Sequence, residues 1–424
     1  MVGTTFIRVG GTQIQSEEDF SCLSQKIERG LLAPFPLLEE LHLGHNRISY
    51  IGYDSLRTAQ IKSIRLNDNR IQTLGMHAFR FIPQLHEIDL SGNRMERFMM
   101  SDFSTATSLR ILNASRNQIR SVECDSIAPM LNWLDLSSTA VRVVEAGAFS
   151  RLPRLHSVFF TNCQDLTFIS PAAFENISVF SMFKVKNTKS FSLDISGTAL
   201  KTLSPSLLSN IARVRIADVP LDCGCLSEQL SAITTTTITD WSNATCVTRE
   251  GEVLSISTLS PTTLGSTEQC RPSVVLPFGH EVVANVGQTF KIYCAGTEEE
   301  DIVKWKSPAG VTEYAIRPEF SSGFERLDYF TTTLFEPLKR QRLRKRTLAT
   351  TEFFRIDVVL NSDAGEYECT IQRGKYTFTR KIRLVVQSCL ASEFIKRERL
   401  QTSRAALTPQ YLLQLQLDQP FTRQ

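Results

Sequence analysis

The sequence predicts two folded bodies of different kinds: a solenoid of short parallel strands closed by a disulfide cap, and after it an all-β sandwich. Three observations predict this. A pattern recurs every 22 to 24 residues through much of the first half, four cysteines follow it closely, and the hydrophobic period then changes to two between a further pair of cysteines. The composition agrees: 424 residues, 42% hydrophobic and 21% charged, suffice for roughly two or three domains with ordinary cores. Twenty Gly and 16 Pro exclude a collagen-like or low-complexity chain. The net charge is only +3, and six positive charges lie between Lys339 and Arg346, so the remainder is slightly acidic and a general nucleic-acid binder is excluded.

The repeat reads LEELHLGHNRI from Leu38, IKSIRLNDNRI from Ile61, LHEIDLSGNRM from Leu85, LRILNASRNQI from Leu109, LNWLDLSSTAV from Leu131 and LHSVFFTNCQDL from Leu155, starts that lie 23, 24, 24, 22 and 24 residues apart. Each copy fits LxxLxLxxNxL, and Phe79, Phe149 and Phe174 recur in step in the segments that follow. The pattern resembles the leucine-rich repeat family, typical extracellular class, over about Ile7 to Leu221. One such unit cannot bury its apolar side alone, so stacked copies share one core. Asn46, Asn69, Asn93 and Asn117 fit the position whose amide satisfies backbone groups between coils. Thr139 and Cys163 replace it later, and Cys163 reads as a core residue rather than a reactive thiol. From Leu155 to the next copy, SFSLDISGTAL at Ser190, lie 35 residues, and FSMFKV at Phe180 competes for the same strand.

The last repeat runs into Cys223, Cys225, Cys246 and Cys270. Spacing alone leaves three pairings open, and zinc ligation is an alternative disfavoured by the CxC spacing. The stretch resembles the C-terminal cap of extracellular leucine-rich repeat proteins, which implies Cys223 to Cys246 and Cys225 to Cys270. From Pro272 the segments VVANVGQTFKIYCAG, VKWKSP, FFRIDVVLNSDAGEYECTIQ and YTFTRKIRLVV alternate as half-buried strands do. Cys294 has Trp305 eleven residues on, and Cys369 follows Asp363, Gly365 and Tyr367. This resembles an immunoglobulin domain, which implies a Cys294 to Cys369 bridge packed on Trp305 and a tyrosine corner at Tyr367. The domains are therefore read as repeats over 1–221 without their usual N-terminal cap, the cysteine cap over 222–271, an immunoglobulin-like domain over 272–387 and a disordered tail over 388–424.

The x positions of LxxLxLxx point onto the concave face, the usual recognition surface of a solenoid. Ile111, Trp133 and Phe159 fall on three successive repeats as an apolar and aromatic cluster, with Arg65, Asp89 and Asp135 along the same face. The plainer reading is an ordinary surface patch. Sequons at Asn113, Asn176 and Asn243 are candidate glycosylation sites. In KRQRLRKR the alternating Arg340, Arg342, Arg344 and Arg346 share one side of an extended segment, a candidate polyanion site for a heparan-type polysaccharide; a solvated loop is the alternative, and the run also resembles a furin-type cleavage site. No GxSxG, P-loop, GxGxxG or HExxH occurs, and His42, His86 and His156 lie on separate repeats. No catalytic residue, cofactor or metal is expected.

Repeats, cysteine cap and immunoglobulin domain in this order resemble the ectodomains of Kekkon- and AMIGO-like receptors. That resemblance implies an extracellular or cell-surface address, a protein ligand or adhesion partner, no nucleic acid and no catalysis. A secreted matrix or glycosaminoglycan-binding protein is one alternative, and the N-terminal part of a peroxidasin-like enzyme is another. The opening MVGTTFIRVGGTQIQ has no signal-like apolar run, and no stretch approaches the roughly 20 apolar residues of a spanning helix. The expectation is a true start upstream, with any membrane attachment through a segment absent from this chain.

Overall fold

In the computed structural model the described residues are 6–8, 26–27, 32, 36–52, 56, 60–75, 78–79, 82–103, 105–123, 128–174, 191–209, 211–226, 237–248, 250–258, 274–294, 301–315 and 346–387. Strands of two or three residues repeat along the chain and pair side by side, all parallel, into a ten-stranded front sheet. It runs from Phe6–Arg8 through Glu40–His42, Ser63–Arg65, Glu87–Asp89, Ile111–Asn113, Trp133–Asp135, Ser157–Phe159, Ser192–Asp194 and Arg213–Arg215 to Thr237–Ile238. The register is fixed by a buried residue in the middle of successive strands: Leu41, Ile64, Ile88, Leu112, Leu134 and Val158 are all fully buried. A slip by one residue would turn that row to solvent. Ser192–Asp194 pairs directly with Ser157–Phe159, so the copy at Ser190 takes the contested place, and FSMFKV at Phe180 lies outside the described residues.

Between coils the asparagine ladder closes the backbone accounting. Asn69 Oδ1 accepts from Ile48 N–H at 3.0 Å while its Nδ2 donates to the carbonyls of Leu43 and Leu66 at 2.8 and 3.0 Å. Asn93 and Asn117 repeat this one coil further each. At the later rungs Thr139 Oγ1 donates to Leu136 O at 2.7 Å, and the buried Cys163 Sγ donates to the same carbonyl at 3.2 Å. Just before the ladder position each coil turns through a left-handed residue, among them Asp68, Gly92, Arg116 and Gly197. A Cβ on Gly92 would meet Asp68 Oδ1 at 2.2 Å, so at this coil glycine answers a close approach as well as a positive φ. A second, four-stranded back sheet forms behind the front one from Phe98–Met99, Ser121–Glu123, Val143–Val144 and Phe168–Ile169.

Cys223 is bonded to Cys246 across the end of the solenoid, where Leu221–Asp222 pairs with Thr245–Val247. Cys225 is also in a disulfide, and Cys270 lies outside the described residues. With Cys223 and Cys246 joined to each other, the zinc reading has lost two of its four ligands.

The second body is a two-sheet sandwich. One sheet orders Glu281–Asn285, Tyr376–Gln387, Gly365–Arg373, Ile302–Lys306 and Thr312–Tyr314; the other orders Phe290–Tyr293, Phe353–Ile356 and Thr347–Ala349. The Cys294–Cys369 bridge joins them, with Cα atoms 6.5 Å apart, and Trp305 is wholly buried with its Nε1 donating to Thr350 O at 2.9 Å. Tyr367 donates its hydroxyl to Asp363 O at 3.0 Å, the geometry of a tyrosine corner. Burial, with the Asp363 charge beside it, pushes the Tyr367 hydroxyl well above its usual range.

The sandwich rests against the back of the solenoid. Val143 and Phe168, adjacent on the back sheet, turn away from the solenoid core and pack with Phe278 and Tyr293 of the sandwich.

Candidate functional site: the front face of the solenoid

Alternation across each front strand sends the middle residue inward and its two neighbours out. Parallel pairing in register then stacks these outward residues into columns. Ile111 stands beside Trp133, and Asp135 beside Phe159. Trp133 and Phe159, diagonal neighbours, bring their ring centroids to 5.2 Å at an interplanar angle of 48°, within the range of favourable tilted pairs. Ile111 is exposed, and both rings are half-buried. Three repeats thus present one continuous apolar surface.

The polar residues of the column have a local task. Asp89 Oδ1 accepts from Ser91 N–H at 2.9 Å, Asn113 Oδ1 from Ser115 N–H at 3.0 Å, Asp135 Oδ1 from Ser137 N–H at 2.8 Å and Asp194 Oδ1 from Ser196 N–H at 3.0 Å. Each side chain closes the turn that leaves its strand. The signal was present in sequence as DLS, NAS, DLS and DIS at equivalent positions, and it explains the NAS of Asn113 without reference to a glycan. The second carboxylate oxygens of Asp89 and Asp135 leave the middle of the face acidic, while Arg213 and the Arg215–Asp194 pair at 3.4 Å flank it on one side and the exposed Arg65 on the other.

Asn243 is exposed on a short 3₁₀ turn, Trp241–Asn243, in the cap, and Asn176 lies outside the described residues. Arg340, Arg342 and Arg344 also lie outside them. Arg346 is described, and it points into the sandwich: its Nη2 donates to Asp363 Oδ1 at 2.7 Å and its Nη1 donates to Asp363 Oδ2 and to Val358 O. It is therefore withdrawn from the basic run that the sequence put it in. Burial alone would raise the Asp363 carboxyl, but the Arg346 fork and the Leu360 N–H outweigh it and hold that carboxyl below the usual range. Among the described residues no group of His, Cys, Asp and Glu is arranged to hold a metal ion, and no helix is long and apolar enough to cross a membrane.

The geometry is that of a leucine-rich-repeat solenoid followed by an immunoglobulin-like sandwich. A family model described as leucine rich repeat matches residues 59–119. The chain is similar to Tsukushi of Gallus gallus, at 21% identity over 207 residues, 45% of this chain and 56% of that protein. It is also similar to the protein of Homo sapiens named leucine-rich repeats and immunoglobulin-like domains protein 3, at 28% identity over 163 residues, 36% of this chain and 14% of that protein. The matches span about half or less of these relatives. Among solved structures, human 5T4 (trophoblast glycoprotein) aligns at 18% identity with a TM-score of 0.41, covering 55% of this chain and 89% of that one. The immunoglobulin-like domain of human leucine-rich repeat-containing protein 4 aligns at 17% identity with a TM-score of 0.19, covering 29% of this chain and 95% of that one.

Proposed function

We propose that this chain is a non-catalytic recognition module of an extracellular protein, and that it grips a protein partner on the front face of the solenoid. The observation that carries the reading is the Ile111, Trp133 and Phe159 surface, an aromatic pair of the kind that dominates interface energetics, held on rigid strands. The acidic oxygens of Asp89 and Asp135 beside it favour a partner that offers an apolar side chain flanked by basic ones. Disulfides in both bodies fit an oxidising compartment.

The test is a binding screen of the disulfide-intact chain against an array of receptor and matrix ectodomains, repeated with Trp133→Ala and Phe159→Ala. Each substitution is expected to weaken a true front-face partner by about 2 kcal/mol, roughly thirtyfold in Kd. Partners bound equally by both variants would overturn the assignment of this face. A second reading, polysaccharide binding, rests on the alternation of Arg340, Arg342 and Arg344. It expects earlier elution from heparin when all three become Ser, and unchanged elution removes it.

A further inference from the structure

The sandwich seats on the solenoid through a seam with an unusual group at its centre. Glu352 lies in the tight turn between Thr347–Ala349 and Phe353–Ile356, a place where a carboxylate ordinarily meets water. Here it is 3% exposed. Its Oε1 accepts from Ser170 Oγ and its Oε2 from Ala146 N–H at 3.4 Å, both on solenoid coils some 180 and 200 residues earlier in the chain. Next to it Glu145 of the solenoid is bonded by Lys291 Nζ at 2.7 and 2.8 Å and by the Tyr293 hydroxyl, both on the sandwich strand Phe290–Tyr293. Arg142 lies over the Phe278 ring and donates to Pro277 O at 3.3 Å, with Asp165 at 4.0 Å on its other side. Among the described residues, the seam therefore buries two carboxylates, Glu352 and Glu145, beside the ammonium of Lys291.

We infer that this seam is a proton-operated latch, in which one proton on Glu352 lets the sandwich stay seated on the back of the solenoid and its loss at higher pH releases it. Two neighbouring buried carboxylates are poorly tolerated with both ionised, and among the described residues Glu352 receives a hydroxyl and a long amide contact while the Lys291 ammonium is bonded to Glu145. Burial first, and the Glu145 charge after it, push its carboxyl from 4.5 to about 7. The undocked turn would return it to its ordinary range. The docked form thus holds the proton to higher pH: the stabilisation is complete below about pH 4.5 and is lost as pH rises through 7. Between pH 8 and pH 5.5 the docking equilibrium is expected to strengthen roughly thirtyfold. The seam lies on the back sheet, so it stands independently of the front-face reading.

The experiment is amide hydrogen exchange, corrected for intrinsic rates, together with small-angle scattering on the full disulfide-intact chain from pH 5.5 to 8. Protection at Ala146 and in the Thr350 to Phe353 turn is expected to fall, and the radius of gyration to rise, with increasing pH. Glu352→Gln keeps the shape and both hydrogen-bond partners without the charge, and it is expected to remain docked throughout. Should that variant fail to fold, Glu145→Gln serves: with the like charge removed and Lys291 facing Glu352, the ionised carboxylate is tolerated in the seam and the change in protection between pH 5.5 and 8 shrinks. Protection independent of pH in the unaltered chain, the same pH dependence in Glu352→Gln, or an undiminished pH dependence in Glu145→Gln overturns the latch.

Discussion

Asn93 commits its whole side-chain amide to backbone: its oxygen accepts from Ile71 N–H, and its nitrogen donates to Leu66 and Leu90 carbonyls. None of these groups has water to turn to. Asn93→Ala is expected to cost about 3 kcal/mol in chemical denaturation, because several buried polar groups lose their partner at once. Thr139→Ala removes one bond to Leu136 O and is expected to cost only about 1 kcal/mol. Equal losses at the two positions would show that the ladder acts through shape rather than hydrogen bonding. In the sandwich, Asp363 is a different kind of residue, with its carboxyl held low by the Arg346 fork against the cost of burial. Its contribution is complete above the usual carboxylate range and is lost as pH falls through its lowered value. Asp363→Asn is therefore expected to lower sandwich stability at pH 7 and to flatten its acid limb, read as urea midpoints between pH 2 and 7.

At the scale of the element, a front strand has one buried position and two that face outward, and the two kinds answer to substitution differently. Leu134→Ala opens a cavity in the shared core and is expected to cost 2 to 5 kcal/mol of stability, about the usual range for such truncations. Trp133→Ala, one residue away on the half-exposed side, is expected to change the melting temperature little while weakening partner binding roughly thirtyfold. A loss of stability at Trp133 as large as at Leu134 would place the aromatic pair in the core and out of recognition. Much of this element was legible in sequence. Repeats of 22 to 24 residues with an invariant inward Leu, Ile or Val fix register, face and column together, because period-two alternation leaves no freedom once one position is buried. The turn-closing work of Asp89, Asn113 and Asp135 was visible too, as a recurring acid or amide two residues before Ser, but side chains pointing onto a face read first as ligands. Arg346 was misleading for the opposite reason: its neighbours in sequence are basic, while its partner Asp363 is brought close only by the folded sandwich.

At the scale of the whole molecule, the seam between solenoid and sandwich had no local signal, since Ser170 and Ala146 meet Glu352 from coils far away in the chain. Each body's own pattern predicts its core and says nothing of which surface the other covers. The cysteines were visible in sequence, with spacing leaving the cap pairing open and the resemblance to known caps and immunoglobulin domains implying it, and the bridges set the order in which the bodies yield. Cys223–Cys246 closes 23 residues and Cys294–Cys369 closes 75. Since a bridge acts largely by limiting the unfolded chain, the first is worth about 3 kcal/mol and the second about 4. The solenoid also spreads its stability over many coils held by neighbour contacts, so loss of the cap frays it from one end and leaves the earlier coils standing. The sandwich has a single core threaded by its bridge. Scanning calorimetry under increasing reductant is accordingly expected to show two transitions, the sandwich shifting down further and the solenoid broadening. Cys294→Ala with Cys369→Ala should reproduce the first effect alone, and Cys223→Ala with Cys246→Ala the second. A single transition that moves as one under both pairs of substitutions would mean that docking along the back sheet couples the two bodies more tightly than their separate cores suggest.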